Sequence, residues 1–130
     1  DENDAVLFAK ACERAAIPVV LRRVADGEEA RDYLLGEGIF TNRAEHPFPQ
    51  VIVLDLKLPG MNGFEFLAWL RSVKEWGAIP VLIFTSSLSR EDKARAMAAG
   101  ADSFFVKPAS FEALVQMVEM FKMTDRPNWN

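Results

Sequence analysis

An uninterrupted apolar run that ends in a carboxylate constrains this chain more than any other feature. The run opens the segment VIVLDLKLPGMNG at 51–63, and its residues 51–54 are all β-branched or aliphatic. Such a run is typical of a strand buried on both faces, and the proline, glycine and asparagine that follow are turn-forming residues. Asp55 is therefore predicted at the carboxyl end of a parallel strand, where open α/β sheets form their ligand crevice. From this segment alone, a solvated aspartate at a strand end explains the pattern equally well.

The rest of the chain alternates helical and strand patterns. The predicted helices cover 4–16, 27–35, 64–74, 90–99 and 111–123, and the predicted strands cover 19–24, 51–54, 81–84 and 103–106. A loop at 36–49, rich in glycine and proline, is long for a compact domain. The alternation predicts an α/β fold, a doubly wound parallel sheet with helices on both faces, because right-handed crossovers leave few other arrangements.

Composition narrows the class of protein. Half of the 130 residues are hydrophobic and no Pro/Gly/Ser-rich linker divides them, so we expect a single domain over 1–130. The net charge of −4 provides no basic surface for nucleic acid, and no apolar stretch approaches the roughly 20 residues that span a bilayer. The one cysteine, Cys12, cannot form an internal disulfide, and no signal peptide opens the sequence, so a cytoplasmic location is expected.

The start of the sequence is unusual for this fold. The opening residues DEND are typical of the loop and helix N-cap that follow a strand, since Asn and Asp accept hydrogen bonds from first-turn amides. A doubly wound sheet needs a central strand that pairs with both halves. We therefore expect a hydrophobic first strand upstream of Asp1, absent from this sequence.

Polar side chains stand at the ends of three predicted strands. Thr85 follows the strand VLIF, and Lys107 follows FFV, so both should meet Asp55 at one edge of the sheet. A carboxylate, a hydroxyl and an ammonium group suit phosphoryl transfer: the carboxylate attacks phosphorus, and the lysine and hydroxyl bind phosphoryl oxygens. Each residue alone could be an ordinary surface or strand-end residue. A carboxylate, a hydroxyl and an ammonium group at the ends of three strands argue against coincidence.

With these residues the chain resembles the receiver domains of two-component response regulators, of which the chemotaxis regulator is the single-domain example. The resemblance covers about 1–123. It rests on the aspartate of VIVLDLKLPGMNG, the pair Thr85-Ser86, an aromatic residue three positions before the lysine, and the pair Lys107-Pro108. The spacing between aspartate, threonine and lysine is also similar to that of the family.

The resemblance implies a flavodoxin-like sheet with strand order 2-1-3-4-5. It implies that Asp55 is the phosphoacceptor and that Thr85 and Lys107 assist it. It further implies that Thr85 and Phe104 are the switch residues and that a cis proline, Pro108, follows the lysine.

Mg²⁺ is the cofactor that the resemblance implies. Receivers bind it with an acidic pair after the first strand, the acceptor aspartate and a backbone carbonyl two residues further on, here that of Lys57. Two registers are open: either Asp1 is the second acid of the pair, or both acids precede the sequence.

The implied function is signal reception rather than enzymatic catalysis. A sensor histidine kinase would phosphorylate the domain and so switch the surface formed by its last helices and last strand toward an unknown output partner. Met117, Met120 and Phe121 add apolar surface beyond the core stripe of the last helix, which predicts contact with a partner or a second copy in a homodimer. Core packing at a helix end is the equal alternative. The loop 36–49 and the segment GAIPV resemble the stand-alone receivers paired with phytochrome-type kinases.

Three other functions are compatible with parts of the pattern. A haloacid-dehalogenase-like phosphatase would need a second acid two residues after its nucleophile, where this chain has Lys57. A flavodoxin-like ligand binder would carry its phosphate loop after the first strand, upstream of this sequence. A pseudo-receiver would scaffold partners without phosphorylation, which the presence of Asp55, Thr85 and Lys107 disfavours.

Overall fold

The computed structural model describes residues 2–17, 22, 24, 26–57 and 61–123. These residues form five α-helices, which are α1 (Glu2–Arg14), α2 (Gly27–Leu35), α3 (Gly63–Ser72), α4 (Arg90–Ala98) and α5 (Phe111–Met123). They also form three strands, β1 (Ile52–Leu54), β2 (Val81–Thr85) and β3 (Ser103–Val106), and short 3₁₀ turns at Gly38–Phe40 and Lys74–Trp76. The order of elements confirms the alternation predicted from the sequence, with boundaries that shift by one or two residues.

The three strands form a parallel sheet in the order β1-β2-β3. Leu54 pairs with Ile83, and Thr85 pairs with Val106. This order agrees with the last three strands of the predicted 2-1-3-4-5 sheet. The strand predicted at 19–24 lies outside the described residues, apart from Arg22 and Val24.

The central strand β2 forms the middle of the core. All five of its side chains are buried, as expected for a strand covered on both faces. A cluster of buried side chains surrounds it, and its members are Leu34, Leu54, Leu56, Phe66, Leu67, Leu70, Val81, Ile83, Ala96 and Ala101. In β1 the same prediction is wrong for Val53, which is 38% exposed while Leu54 is 3% exposed. An apolar run favours burial, but neighbouring elements decide which face they cover.

The chain divides into two compact units. The sheet unit, Val24–Val106, contains the whole described sheet with α2, α3 and α4. The helical unit joins Asp1–Arg23 to Lys107–Asn130 and contains α1 and α5. Whether the two form the single domain expected from composition stays a prediction.

In the helical unit, α1 and α5 pack together, and an ion pair at 3.2 Å joins Arg14 to Glu112. Met117 is buried with 7% of its surface exposed, whereas Met120 is 57% exposed. The prediction that Met117 adds interface surface is therefore wrong: it continues the buried stripe of α5 at helical spacing from Leu114. The side chain of Phe121 lies outside the described part of the structure.

The peptide bond before Pro108 differs from the prediction. No peptide bond among the described residues is cis, so the bond between Lys107 and Pro108 is trans and the cis prediction is wrong here. Trans is the favoured form of an X-Pro bond by roughly 0.5–1 kcal/mol, and only the family resemblance argued for cis.

Among the described helices, none combines the length and the apolar character needed to cross a bilayer.

The long loop after α2 is held down by side chains. The Arg43 guanidinium donates to the carbonyls of Tyr33 and Leu34, each at 2.6 Å, at the end of α2 where helix carbonyls lack partners. The Tyr33 hydroxyl donates to the Pro47 carbonyl at 2.9 Å. These bonds hold the loop against α2, although its only regular structure among the described residues is the short 3₁₀ turn at Gly38–Phe40.

Candidate functional site

Asp55 directly follows β1, as predicted. Its side chain is partly exposed, while Leu54 and Leu56 on either side are buried. The Asp55 Oδ1 atom accepts the backbone N–H of Lys57 at 2.9 Å. This bond closes an Asx-type turn, which fixes the carboxylate relative to the backbone that follows it.

The turn after Asp55 is held between the N-termini of two helices. At the start of α3, the Gly63 N–H donates to the Leu56 carbonyl at 3.0 Å, and a Cβ on Gly63 would lie 2.7 Å from the Asp55 carbonyl oxygen. At the start of α2, a Cβ on Gly27 would lie 2.6 Å from the Cβ of Met61. Only glycine permits either approach, so both helices begin against the loop that carries the carboxylate.

Capping side chains fix where these helices begin. Asp26 caps α2 by accepting the N–H of Glu29 at 2.8 Å. Asn62 and Glu65 form a reciprocal pair on α3: Asn62 Oδ1 accepts the Glu65 N–H at 2.9 Å, and Asn62 Nδ2 donates to Glu65 Oε1 at 2.7 Å.

Thr85 is the last residue of β2, one position inside the strand rather than after it. Its side chain is fully buried at 0% exposure. A buried hydroxyl needs a hydrogen-bond partner, and Thr85 Oγ1 accepts the backbone N–H of Ser87 at 3.3 Å.

The register of the sheet brings Asp55 and Thr85 to the same edge. Leu54 of β1 pairs with Ile83 of β2. Asp55 is the residue after Leu54, and Thr85 comes two residues after Ile83. Both therefore lie at the carboxyl ends of neighbouring parallel strands. The structure therefore confirms that Asp55 and Thr85 lie at the same edge of the sheet, as predicted from the sequence. The carboxylate and the hydroxyl belong to adjacent strand ends.

The two other predicted residues lie in or next to β3. Phe104 pairs with Ile83 and packs, partly buried, against the core cluster. Because Thr85 pairs with Val106, the side chains of Thr85 and Phe104 share one face of the sheet, two residues apart along the ladder. Lys107 directly follows Val106 but belongs to the helical unit, and its role beside Asp55 stays a prediction.

For a metal ion, the described residues offer part of a ligand set. They contain no group of three or more His, Cys, Asp or Glu side chains that could hold one. The Asp55 carboxylate and the nearby Lys57 backbone fit Mg²⁺ nevertheless, because this ion binds through one or two carboxylates and keeps several waters. The third expected ligand, Asp1, lies outside the described residues.

The sequence reasoning missed the hydrogen bonds that organise the loop after β2. The Ser87 hydroxyl donates to Asp92 Oδ2 at 2.6 Å, and Ser89 caps α4 by accepting the Asp92 N–H at 3.2 Å. Ser89 with an acid three residues later is a readable helix-start pattern. The contact of Ser87 with that acid is tertiary detail that the pattern does not contain.

Comparison with protein families identifies the chain. The protein-family model of the response regulator receiver domain matches residues 2–119 of the sequence. The chain belongs to the response regulator receiver family. The flavodoxin-like receiver fold implied by the sequence is confirmed by the same finding and by the solved structures that resemble it.

Two curated relatives show how receiver domains are embedded in longer proteins. The "Probable methanogenesis regulatory protein FilR2" of Methanothrix harundinacea is 36% identical over 119 residues, which cover 91% of this chain and 74% of that protein. The transcriptional regulatory protein KdpE of Mycobacterium tuberculosis is 36% identical over 96 residues, covering 70% of this chain but only 41% of KdpE. The chain thus spans less than half of the latter relative.

Several solved receivers share the fold over nearly the whole chain. The response regulator RPA3017 in red light signalling of R. palustris superposes with a TM-score of 0.91 at 26% identity, covering 100% of this receiver and 91% of that chain. The bacteriophytochrome response regulator RtBRR has a TM-score of 0.78 at 36% identity, with 97% and 74% covered. The Mn²⁺-bound form of response regulator Rcp1 has a TM-score of 0.82 at 26% identity, with 94% and 86% covered.

Proposed function

We propose that this receiver domain accepts a phosphoryl group on Asp55 from a sensor histidine kinase and transmits the event through Thr85. One observation carries the proposal: the Asp55 carboxylate stands at the end of β1, on the same sheet edge as the fully buried Thr85 hydroxyl at the end of β2. A nucleophile and a hydrogen-bond donor on adjacent rigid strands suit a reaction that depends on positioning.

The transfer step is a substitution at phosphorus. A carboxylate oxygen of Asp55 forms the new P–O bond, and the P–N bond to the kinase histidine breaks, so its electron pair stays on the departing imidazole. The Thr85 hydroxyl donates to one phosphoryl oxygen, and Lys107 pairs with another, as the family resemblance implies. The domain is in this view a phosphorelay acceptor rather than an enzyme with a substrate of its own.

Mg²⁺ is the cofactor we propose for this step. Receiver domains generally bind it, and the solved relative Rcp1 has a form bound to Mn²⁺. Here the Asp55 carboxylate and the Lys57 carbonyl would hold the ion, with Asp1 or an upstream acid as the remaining expected ligand. When bound, the ion neutralises negative charge on the phosphoryl oxygens.

The acyl phosphate on Asp55 carries roughly two negative charges where the carboxylate carried one, and these charges lie on phosphoryl oxygens beside Thr85. Thr85 then moves toward the phosphoryl group, and Phe104, on the same sheet face, turns into the space that it leaves. The result is a shift between two pre-existing arrangements of the last helices and the last strand. An output partner or a second copy of the domain would bind the favoured arrangement.

The kinase that we infer is of the bacteriophytochrome type. RPA3017 acts in red light signalling, and RtBRR is a bacteriophytochrome response regulator; both superpose with more than 95% of this chain covered. We also propose a cytoplasmic location, which agrees with Cys12 as a buried free thiol. Faster phosphoryl transfer from a bacteriophytochrome kinase than from a chemotaxis-type kinase, at equal concentrations, is expected. Equal or inverted rates would argue against this kinase class.

Intact mass spectrometry tests the proposed chemistry. The chain is incubated with Mg²⁺ and a small acyl phosphate, and it should gain the mass of one phosphoryl group. Asp55→Asn should gain none, while Asp32→Asn, a matched change on the exposed side of α2, should label like the parent. Chelation of Mg²⁺ should slow the labelling. Labelling of Asp55→Asn at the parental rate would refute the acceptor assignment.

A further inference from the structure

Side-chain and backbone hydrogen bonds close the loop between β2 and α4. The Ser87 hydroxyl donates to Asp92 Oδ2 at 2.6 Å and accepts the N–H of Ser89 at 3.2 Å. Ser89 in turn accepts the Asp92 N–H at 3.2 Å. A hydroxyl-to-carboxylate bond of 2.6 Å is in the short range of charge-assisted bonds, so Ser87 is anchored to the first turn of α4.

This arrangement departs from an ordinary helix start. In a capping box, the acid at the third helical position returns to the N–H of the N-cap residue itself. In α4 the Ser87 hydroxyl lies between the two partners: it accepts a hydrogen bond from the Ser89 N–H and donates one to the Asp92 carboxylate. The acid of the box therefore holds the preceding loop as well as the helix.

The same loop residue contacts the buried switch candidate. The Ser87 backbone N–H donates to Thr85 Oγ1 at 3.3 Å. Both donors of Ser87 are thus committed, its N–H to Thr85 and its O–H to Asp92. Because a hydroxyl has one hydrogen and two acceptor positions, Thr85 accepts this bond and keeps its own hydrogen for donation.

We propose that Asp92 is a positioning residue for Thr85 and acts through Ser87. The inference rests on the proposed function, in which Thr85 moves toward the phosphoryl group on Asp55. The bonds from Asp92 to Ser87 and from Ser87 to Thr85 stabilise the unphosphorylated arrangement of the loop. Movement of Thr85 must break or stretch this chain of bonds, so Asp92 sets how readily the domain switches.

Loss of the Asp92 carboxylate should therefore favour the switched arrangement. A ligand that binds the switched state better binds more tightly when that state is more populated. Beryllofluoride with Mg²⁺ mimics the phosphoryl group on a carboxylate, and it is the probe for this effect. From the net contribution of one hydrogen bond, Asp92→Ala should tighten its binding by about 3- to 10-fold.

The experiment compares four variants of the full chain with the parent. Asp92→Ala and Ser87→Ala each remove one partner of the bond, and their double variant removes both. Glu91→Ala removes a neighbouring exposed acid from the same helical turn, so it controls for charge near the α4 N-terminus. Two quantities are measured: the beryllofluoride dissociation constant, by calorimetry with Mg²⁺, and the amide exchange rate of residue 87 in the free chain, by NMR.

The proposal predicts that the two single variants tighten beryllofluoride binding by a similar factor and that the double variant does no more. It also predicts that Asp92→Ala speeds exchange of the Ser87 amide by about 3- to 10-fold without any ligand, while Glu91→Ala changes neither quantity. Should Asp92→Ala not fold, Asp92→Asn keeps an acceptor oxygen and should shift both quantities in the same direction by less.

Three results would overturn the proposal. If Asp92→Ala behaves like Glu91→Ala in both measurements, Asp92 does not position Thr85, and the proposed function itself is unaffected. Additive effects of Asp92→Ala and Ser87→Ala would show that Asp92 does not act through Ser87. Failure of the parent chain itself to bind beryllofluoride would instead refute the proposed function, and this inference with it.

Discussion

Gly63 and Leu56 are in backbone contact where α3 meets the loop after β1. The Gly63 N–H donates to the Leu56 carbonyl at 3.0 Å, and a Cβ on Gly63 would lie 2.6 Å from the Leu56 Cα. The helix thus begins directly against the residue that follows Asp55. This contact leaves no room for a side chain, so the position of the acceptor loop depends on glycine at 63.

Gly63→Ala should therefore destabilise the domain and disturb Asp55. We expect a loss of about 1 to 3 kcal/mol in urea unfolding, because the new methyl group overlaps backbone atoms that cannot move aside cheaply. Phosphorylation of Asp55 by an acyl phosphate should slow as well. The matched control is Gly77→Ala, where the nearest atom is the Lys74 carbonyl oxygen at 3.7 Å. Equal losses for the two variants would contradict the close-contact explanation.

Arg71 joins the end of α3 to the loops at the amino ends of β2 and β3. Its guanidinium donates to the carbonyls of Gly100 at 2.7 Å and Ile79 at 2.8 Å and pairs with Asp102 at 3.1 Å. Lysine has a single ammonium group and cannot serve these partners in one plane. Arg71→Lys should lower the free energy of unfolding by about 1 to 3 kcal/mol, measured by urea denaturation.

The control for this change is Arg90→Lys, at the exposed first residue of α4. It should alter stability by less than about 0.5 kcal/mol, as for most surface substitutions. If Arg71→Lys is equally mild, the hydrogen bonds of Arg71 contribute little to the fold.

Met117 and Met120 lie about one turn apart on α5 and provide a matched pair to test the interface that the sequence predicts on this helix. Met120, 57% exposed, should tolerate lysine with little change in melting temperature, and self-association or partner binding should weaken. Met117, 7% exposed, should lose about 2 to 4 kcal/mol as Met117→Lys, because the ammonium group would be buried. Thermal melts and sedimentation measure the two effects. A large drop in melting temperature for Met120→Lys with unchanged association would place Met120 in the core.

Cys12 should make the folding stability of the chain depend on pH in the alkaline range. Burial raises the pKa of the Cys12 thiol from 9.0 to about 11. Between these values the unfolded chain releases the thiol proton while the folded chain keeps it, so stability is full below pH 9 and falls as the pH rises toward 11. The loss should reach about 2 to 3 kcal/mol across the window.

Comparison with Cys12→Ala isolates this effect from other groups that titrate at high pH. The parent should lose more stability than the variant between pH 8.5 and pH 11, and its thiol should react slowly with a disulfide reagent at pH 8. Parallel pH profiles for the two proteins, or fast modification of the folded chain, would show that Cys12 is not protected by burial.

Much of the candidate site could be predicted because it depends on topology. Apolar runs locate the strands, and parallel strands place their carboxyl ends at one edge, so Asp55 and Thr85 follow from sequence order alone. The helix starts were also readable, since Asp26, Asn62 and Ser89 are ordinary N-cap residues.

The features that sequence reasoning missed depend on tertiary contacts. Arg71 reaches a carbonyl 29 positions away at Gly100, and no local pattern specifies that contact. Met117 was left open between an interface and core packing, because periodicity indicates the direction of a helical stripe but not its width. Val53 was assigned to the core because an apolar run does not state which of its faces is covered.

Chemical trapping of the phosphorylated residue tests the central role of Asp55 most directly. The domain is phosphorylated with an acyl phosphate and Mg²⁺ and then reduced with borohydride, which converts an aspartyl phosphate into homoserine. Peptide mapping should find homoserine at position 55 and parental aspartate at every other position. Homoserine at another aspartate, or none despite a gain of phosphoryl mass, would contradict the assignment of Asp55 as the phosphoacceptor.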